Sequence, residues 1–339
     1  MKRCRLIPIR RMTALCLLLT LLAAAGCAQT EYTEGAYTYV LAQGYAAIVR
    51  YQGDAVDLTV PDMLGGYPVN RICESAFRDN DSLVTVRIPE GVVSLGEGMP
   101  DENGVPAPFE PYDARPIAGF ACGTGAIRQM RERNVFYSCR ALKKIYLPES
   151  LEVVDKCAFK DVRYELYVGD PRGNAARALT KAGYEFAIAG HPKMWFRACE
   201  LDGRTVLELK EYTGEDTKIH VPEGVEKIDW AFIYNADVTA VVVPEGVVSI
   251  GGHAFYQCFA LTDVTLPESL RRIESGTFAE CTSLTRLRIP QGVEFIEPDA
   301  FDDCSEALVL CGAEDSYAQA WADAYGFRFE AEDGAPETK

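Results

Sequence analysis

The stretch VPEGVVSIGGHAFYQCFALTDVTLPESLRRIESGTFAECTSLTRLRIPQGVEFIEPDAFDDC, residues 243–304, decides the fold. Pro244, Pro267 and Pro290 are 23 residues apart, and Phe232, Phe255, Phe278 and Phe301 keep the same step. Cys258, Cys281 and Cys304 keep it too. One unit reads Leu261-x-x-Val264-x-Leu266-Pro267, then Leu270, Ile273 and Phe278. The alternation Val264-x-Leu266 predicts a short strand with one buried side. Pro267 ends it, because proline has no N–H to give to a neighbouring strand. A single unit cannot bury so many apolar groups, whereas stacked units cover one another's open edges, so the period predicts a solenoid.

Val243-Pro244-Glu245-Gly246-Val247, Ile250-Gly251 and Ala254-Phe255-x-x-Cys258 resemble the BspA-type leucine-rich repeat of bacterial surface proteins. The resemblance recurs along most of the chain. It implies a β-rich leucine-rich-repeat solenoid of short parallel strands and turns, and a role in attachment to host, matrix or bacterial surfaces. It names no ligand, because function resides in sites and not in the scaffold.

The N-terminus carries an address. Lys2, Arg3, Arg5, Arg10 and Arg11 precede an apolar run, Met12 to Ala25, that is short for a membrane span. Leu22-Ala23-Ala24-Ala25-Gly26-Cys27 resembles a bacterial lipobox, with Ala24 departing from the commoner leucine. That resemblance implies a lipoprotein signal peptide over residues 1–26, lipid on Cys27, and a protein anchored to the bacterial cell membrane and facing outside. Several acyl chains on one residue hold a membrane where one would not. The other reading is an ordinary secretory peptide with a chance Gly-Cys. The whole chain has a formal charge of −16, and removing residues 1–26 leaves 29 basic against 50 acidic residues. Such a chain is repelled by free nucleic acid.

Residues 27–36 are small and polar and read as a tether. Tyr37 to Val49 alternates on both sides of Gln43-Gly44, a hairpin that caps the first array. Leu58-x-Val60-Pro61 and Leu83-x-x-Val86-x-Ile88-Pro89 are its first units. Pro89 to Pro148 and Phe77 to Phe136 both span 59 residues, one period plus 36, which places an insertion at about 98–133. Asn174 to Ala182 with Gly183 predicts a helix with a glycine stop, followed by Tyr184-x-Phe186. The same features end the chain, from Ser316 to Tyr325, Gly326 and Phe327-x-Phe329. Between them, Trp195 to Leu209 folds around Asp202-Gly203, a second hairpin signal. The expectation is therefore two arrays, 37–190 and 191–330. Each has an N-terminal hairpin cap and a C-terminal strand–helix–strand cap, and residues 331–339 form a disordered acidic tail.

The repeat thiols Cys139, Cys258, Cys281 and Cys304 share one phase, and coils about 4.8 Å apart fall within disulfide reach. At matching positions stand Asn80, Asn235 and Val162, so no bridge is required there and free buried thiols are expected. No CxxC, HExxH, GxSxG or P-loop pattern occurs, and no cofactor or metal is expected. His253 lies near Cys258, but a Cys–His nucleophile pair needs an outward thiol and Cys258 is predicted to point inward. The acids at Asp79-Asn80-Asp81 and Asp299 to Asp303 lack EF-hand spacing and read as solvated turns.

The residues flanking each strand's middle position should point outward. Among them are Arg87, Lys144, Tyr146, Lys218, His220, Arg286 and Arg288, a basic set in an acidic chain. They predict a face for an anionic partner, such as an acidic glycan or an acidic patch on a host or bacterial surface protein. The competing account is that arginine stems merely cover strand surface. The function expected is non-enzymatic binding or adhesion. The alternative is a structural component of a cell-envelope assembly that docks a partner through the 98–133 insertion.

Overall fold

A computed structural model describes residues 29–100, 103–106, 134–160 and 165–332. The expected signal peptide, Cys27, Val162 and most of the 98–133 insertion lie outside the described residues.

The 23-residue step stacks the chain in coils, and each coil contributes two short strands. The opening strands β1 (Glu31–Glu34), β2 (Tyr37–Ala42) and β3 (Tyr45–Tyr51) are antiparallel, with β2 and β3 turning at Gln43-Gly44 as expected. From β3 one row runs in parallel through β6 (Tyr67–Ile72), β8 (Ser94–Leu95) and β10 (Val153–Val154), with β5 (Met63–Leu64) folded back on β6. The other row runs β4 (Asp57–Thr59), β7 (Thr85–Arg87), β9 (Lys144–Tyr146), β11 (Glu165–Val168) and β12 (Phe186–Ile188).

Strand β7 pairs directly with β9, Thr85 opposite Lys144 and Arg87 opposite Tyr146. Residues 59 apart thus sit on neighbouring coils, so the strand register resumes across the interval that holds the extra 36 residues.

The second hairpin, β13 (His191–Leu201) and β14 (Arg204–Tyr212), turns at Asp202 and Gly203 with φ of 50° and 77°. Two successive left-handed residues suit the turn that follows the natural twist of paired strands. This hairpin changes the layout. Its first strand pairs with β12, and its second pairs in parallel with β16 (Lys227–Asp229), followed by β18 (Ser249–Gly251), β20 (Arg272–Ile273) and β22 (Phe295–Ile296). One eleven-stranded sheet therefore joins the first row of the early coils to the second row of the late ones. The remaining strands form two small sheets. One is β15 (Lys218–His220), β17 (Ala240–Val242) and β19 (Asp263–Thr265), and the other is β21 (Arg286–Arg288), β23 (Val309–Gly312) and β24 (Arg328–Ala331).

Helix α1 (Asn174–Ala182) ends at Gly183, whose φ of 90° is the left-handed geometry that glycine adopts without steric cost. Helix α2 (Tyr317–Tyr325) starts at Ser316, whose hydroxyl accepts from the Gln319 amide.

The interior is a pile of rings. Phe232, Phe255, Phe278 and Phe301 are buried and stacked at 5.2, 5.2 and 5.4 Å, with interplanar angles of 2°, 8° and 7°. Phe77, Phe136 and Phe159 form a matching row. Buried Tyr51 starts one row and buried Tyr212 the other, each followed by x-Gly. A Cβ on Gly53 or Gly214 would collide with the ring that precedes it.

The turn after each proline is closed by side chains that reach to the next coil. Glu245 accepts from the amides of Glu268 and Ser269, and the Ser269 hydroxyl accepts from Gly246 while donating to the Val247 carbonyl. Glu90 and Ser150 repeat the pattern across the insertion. The recurring Pro-Glu-Gly and Pro-Glu-Ser are thus a coil-to-coil clamp that satisfies backbone groups a turn would otherwise leave unpaired.

The acidic tail begins later than expected. Ala331 is in β24, and the Glu332 amide donates to Gly312, so these two residues are held because β24 adds to the edge of β23. Residues 333–339 lie outside the described set.

Candidate binding surfaces

The basic set divides over three sheets. Arg87, Lys144 and Tyr146 lie on the eleven-stranded sheet, Lys218 and His220 on the sheet of β15, and Arg286 and Arg288 on the sheet of β21. A single face carrying all seven is not formed. The residues hold equivalent repeat positions, but the β13–β14 hairpin carries the sheet from one strand row to the other, and sequence phase cannot register that exchange.

The three groups also differ in charge balance. Arg286 is bound by Glu330 and Glu332, and Arg288 by Glu268 and Glu332. Hydrogen bonds to Glu330 and then Glu332 hold the Arg286 guanidinium more firmly protonated than usual. The cations of this end are neutralised by Glu268, by Glu330 of β24 and by Glu332, and of these only Glu332 was expected to lie in the loose tail. Lys218 and His220 are exposed, and His220 shares a shallow hollow with His191, Val221 and Val242.

Arg87 and Lys144 behave differently. The Arg87 guanidinium lies 4.7 Å from the Tyr146 ring centroid, and the Lys144 ammonium lies 5.8 Å from that of Tyr167. Tyr146 and Tyr167 stack at 5.0 Å. Burial, then a hydrogen bond to Glu165, drives the Tyr167 hydroxyl pKa upward, so it stays a neutral donor. Among the described residues neither Arg87 nor Lys144 has a carboxylate within ion-pair distance. An aromatic face holds a cation in place without cancelling its charge. This ledge therefore presents two oriented positive groups to solvent.

The thiols are free and inward. Cys258 donates to the Phe232 carbonyl at 3.1 Å, Cys281 to Phe255 at 3.1 Å, Cys304 to Phe278 at 3.0 Å and Cys139 to Phe77 at 2.9 Å. Each thiol thus satisfies a carbonyl of the coil before. Burial pushes Cys258 up to about 12 and Cys139 and Cys304 up to about 11. Such groups are poor nucleophiles at neutral pH. Asn80 does the same job with its amide, which donates to Gly53, and its carbonyl oxygen closes the turn at Ser82 and Leu83. His253 does not face Cys258; its ring stacks on Trp230 at 5.2 Å. Among the described residues no three His, Cys, Asp or Glu side chains gather in metal-binding geometry.

Sequence reasoning missed the surface around that stack. Trp230, Tyr234 and Phe259 are 46, 65 and 43 % exposed, and Tyr256 adjoins them. The available signal was Trp230 and Tyr234 two positions either side of Phe232, with His253, Tyr256 and Phe259 around Phe255 in the next repeat.

Residues 129–166 and 211–309 match the profile of the BspA type leucine rich repeat region, in six copies. No curated protein sequence matches the chain. Similar solved structures include a leucine rich cell surface protein of Faecalibacterium prausnitzii. It is 21% identical, covers 91% of this chain and 96% of its own, and has a TM-score of 0.36. A leucine-rich repeat protein of Bacteroides capillosus is 29% identical over 36% of this chain and 95% of its own, with a TM-score of 0.31. One from Bacteroides ovatus is 14% identical over 89% and 99%, with a TM-score of 0.27. With the 23-residue coils, the stacked phenylalanines and the six matched copies together, the repeats within residues 129–166 and 211–309 are of the BspA leucine-rich-repeat type.

Proposed function

We propose that the protein is an exported binding scaffold that works without catalysis, held to the bacterial cell membrane by lipid on Cys27. Its strand face at Arg87, Lys144 and Tyr146 engages an anionic group on a host or bacterial surface partner. One observation carries this reading. In a chain of net charge −16, these two cations rest on tyrosine rings, whereas Arg286 and Arg288 are matched by carboxylates. Oriented, uncancelled charges steer an anionic partner.

The test compares R87E/K144E with R286E/R288E for retention on immobilised heparin and for adhesion to host cells. The first pair should lose retention and adhesion, and the second should keep both. Equal behaviour of the two pairs refutes the assignment. Loss of the N-terminal lipid is read separately, by detergent-phase partitioning of C27A.

A second reading, partner docking through residues 98–133, is favoured by the direct pairing of β7 with β9. The insertion can be cut or shortened while its flanking coils remain stacked. Adhesion that survives such cleavage supports the first reading, and adhesion lost with it supports the second.

A further inference from the structure

From the turn side of the late coils we infer a second binding site, one that takes a neutral carbohydrate chain. The side chains are Trp230, Tyr234, His253, Tyr256, Gln257 and Glu280. The Trp230 and His253 rings stack at 5.2 Å with 25° between their planes. Tyr256 stands edge-on to His253 at 5.4 Å and to Tyr234 at 5.6 Å. The Tyr256 hydroxyl donates to Glu280 Oε1 at 2.6 Å, and Gln257 Nε2 donates to Glu280 Oε2 at 2.9 Å. A run of exposed and half-buried rings is thus bordered by a fixed carboxylate and a fixed amide.

The backbone shows that these rings are not there for the fold. Trp230, Tyr234 and His253 each have φ of 61°, a left-handed conformation that costs a bulky L-residue and costs glycine nothing. The matching position of Trp230 and His253 one coil later is Gly276 (φ 59°), and in an early coil it is Ser75 (φ 60°). The positions matching Tyr234 are Gln257 and Glu280 on the next two coils and Asp79, Ser138 and Asp303 elsewhere in the stack, none of them aromatic. The coil needs the backbone shape there, not the aromatic side chain. Trp230 and Tyr234 remain 46 and 65 % exposed, so the core gains little from them. The left-handed geometry recurs at these phases through the stack, so what sets this cluster apart is the bulky rings it carries there.

The chemistry selects the ligand. The C–H face of a sugar ring is apolar and weakly positive and lies against the negative face of an aromatic ring. The hydroxyls around its edge need paired donors and acceptors. Glu280 keeps free lone pairs beyond its two hydrogen bonds, and the Gln257 amide, whose N–H groups go to Tyr256 and Glu280, offers its carbonyl. Glu274 and Asp299 stand on the neighbouring turns, each receiving a serine hydroxyl. An acidic rim repels sialylated or uronic-acid chains and leaves uncharged hexoses as the matching class. Two aromatic turns on adjacent coils suit an extended chain rather than a single sugar. The site shares no residue with the Arg87 ledge and does not depend on it.

The test uses the full chain with maltohexaose, cellohexaose, mannohexaose, polygalacturonate and choline, read by tryptophan fluorescence and calorimetry. At least one neutral hexasaccharide should bind and shift the fluorescence, with polygalacturonate inert. W230G and Y234G should each weaken that binding by tenfold or more while thermal stability is kept or raised, because glycine suits both backbones. E280Q should weaken binding less and leave the neutral-sugar preference. The inference is overturned if no neutral hexasaccharide binds, if W230G binds as the wild type does, or if choline or polygalacturonate binds instead.

Discussion

Alkaline pH should unlock the thiol ladder. Cys258, Cys281 and Cys304 each donate to a buried carbonyl of the coil before, and burial raises all three pKa values above the ordinary 9.0. In the unfolded chain they ionise near 9.0, while in the fold Cys304 holds its proton to about 11 and Cys258 to about 12. A raised folded pKa contributes stability that is fully present below pH 9 and is lost as pH climbs toward the folded value. From pH 8 to pH 10 each thiol withdraws about 1.4 kcal/mol, so the three together withdraw about 4 kcal/mol. Other groups also titrate in that range, so the informative quantity is a difference. Urea unfolding of the reduced wild type and of C258S/C281S/C304S at pH 8 and pH 10 isolates it. Serine keeps the donor and does not ionise. The wild type should lose about 4 kcal/mol more than the variant over that interval. Equal losses would refute a protonated, inward-facing ladder. Rapid modification of the native protein by a thiol reagent at pH 8 would refute it too.

Three further outcomes follow from packing and charge. F278A removes a fully buried ring stacked on both sides and should cost about 3–5 kcal/mol by urea unfolding, with F278L costing less. E208A should cost about 1–3 kcal/mol, since the fully buried Glu208 carboxylate is bound by Arg197 at 2.6 Å and Lys227 at 2.9 Å, while after truncation Lys227 keeps Asp229 and Arg197 reaches solvent. E245A should cost about 1–2 kcal/mol by the same measurement, because two amides of the next coil lose a charged acceptor at an exposed turn.

The sequence revealed whatever repeats. The step of 23 placed the Phe stack, the proline strand-stops and the inward cysteines, since each follows from one coil lying on the next. The spans of 59 from Pro89 to Pro148 and from Phe77 to Phe136 located the insertion, and Thr85 opposite Lys144 shows the strand register resuming in phase. Gln43-Gly44 and Asp202-Gly203 were legible because left-handed pairs leave few alternatives to a tight turn. What stayed hidden was relational. Equal phase suggested equal face, so Arg87 and Arg286 were expected together. The sheet changes rows at β13–β14, and no single repeat encodes that change. The pairing of Arg286 with Glu330, 44 residues away, was hidden for the same reason. The aromatic turn was overlooked because each of its members breaks the repeat instead of following it.

The row exchange has an energetic consequence that can be measured. We propose the chain as two arrays, 37–190 and 191–330, and β13 serves both. Phe196 lies opposite Phe186 of β12 on one side and Leu209 of β14 on the other, and it is fully buried. Two residues on, the Ala198 amide donates to the Thr180 hydroxyl of α1. The helix that ends the first array is thus seated on the strand that begins the second. Two arrays joined only by a linker would open independently, whereas a shared central strand makes them unfold together. F196A should cost about 3–5 kcal/mol and should spread its effect in both directions. Native-state hydrogen exchange should show lost protection in β11 and β12 and also in β16 and β18, with β1 and β2 little changed. Loss confined to one side of residue 191 would mean that the strand belongs to one array and merely touches the other.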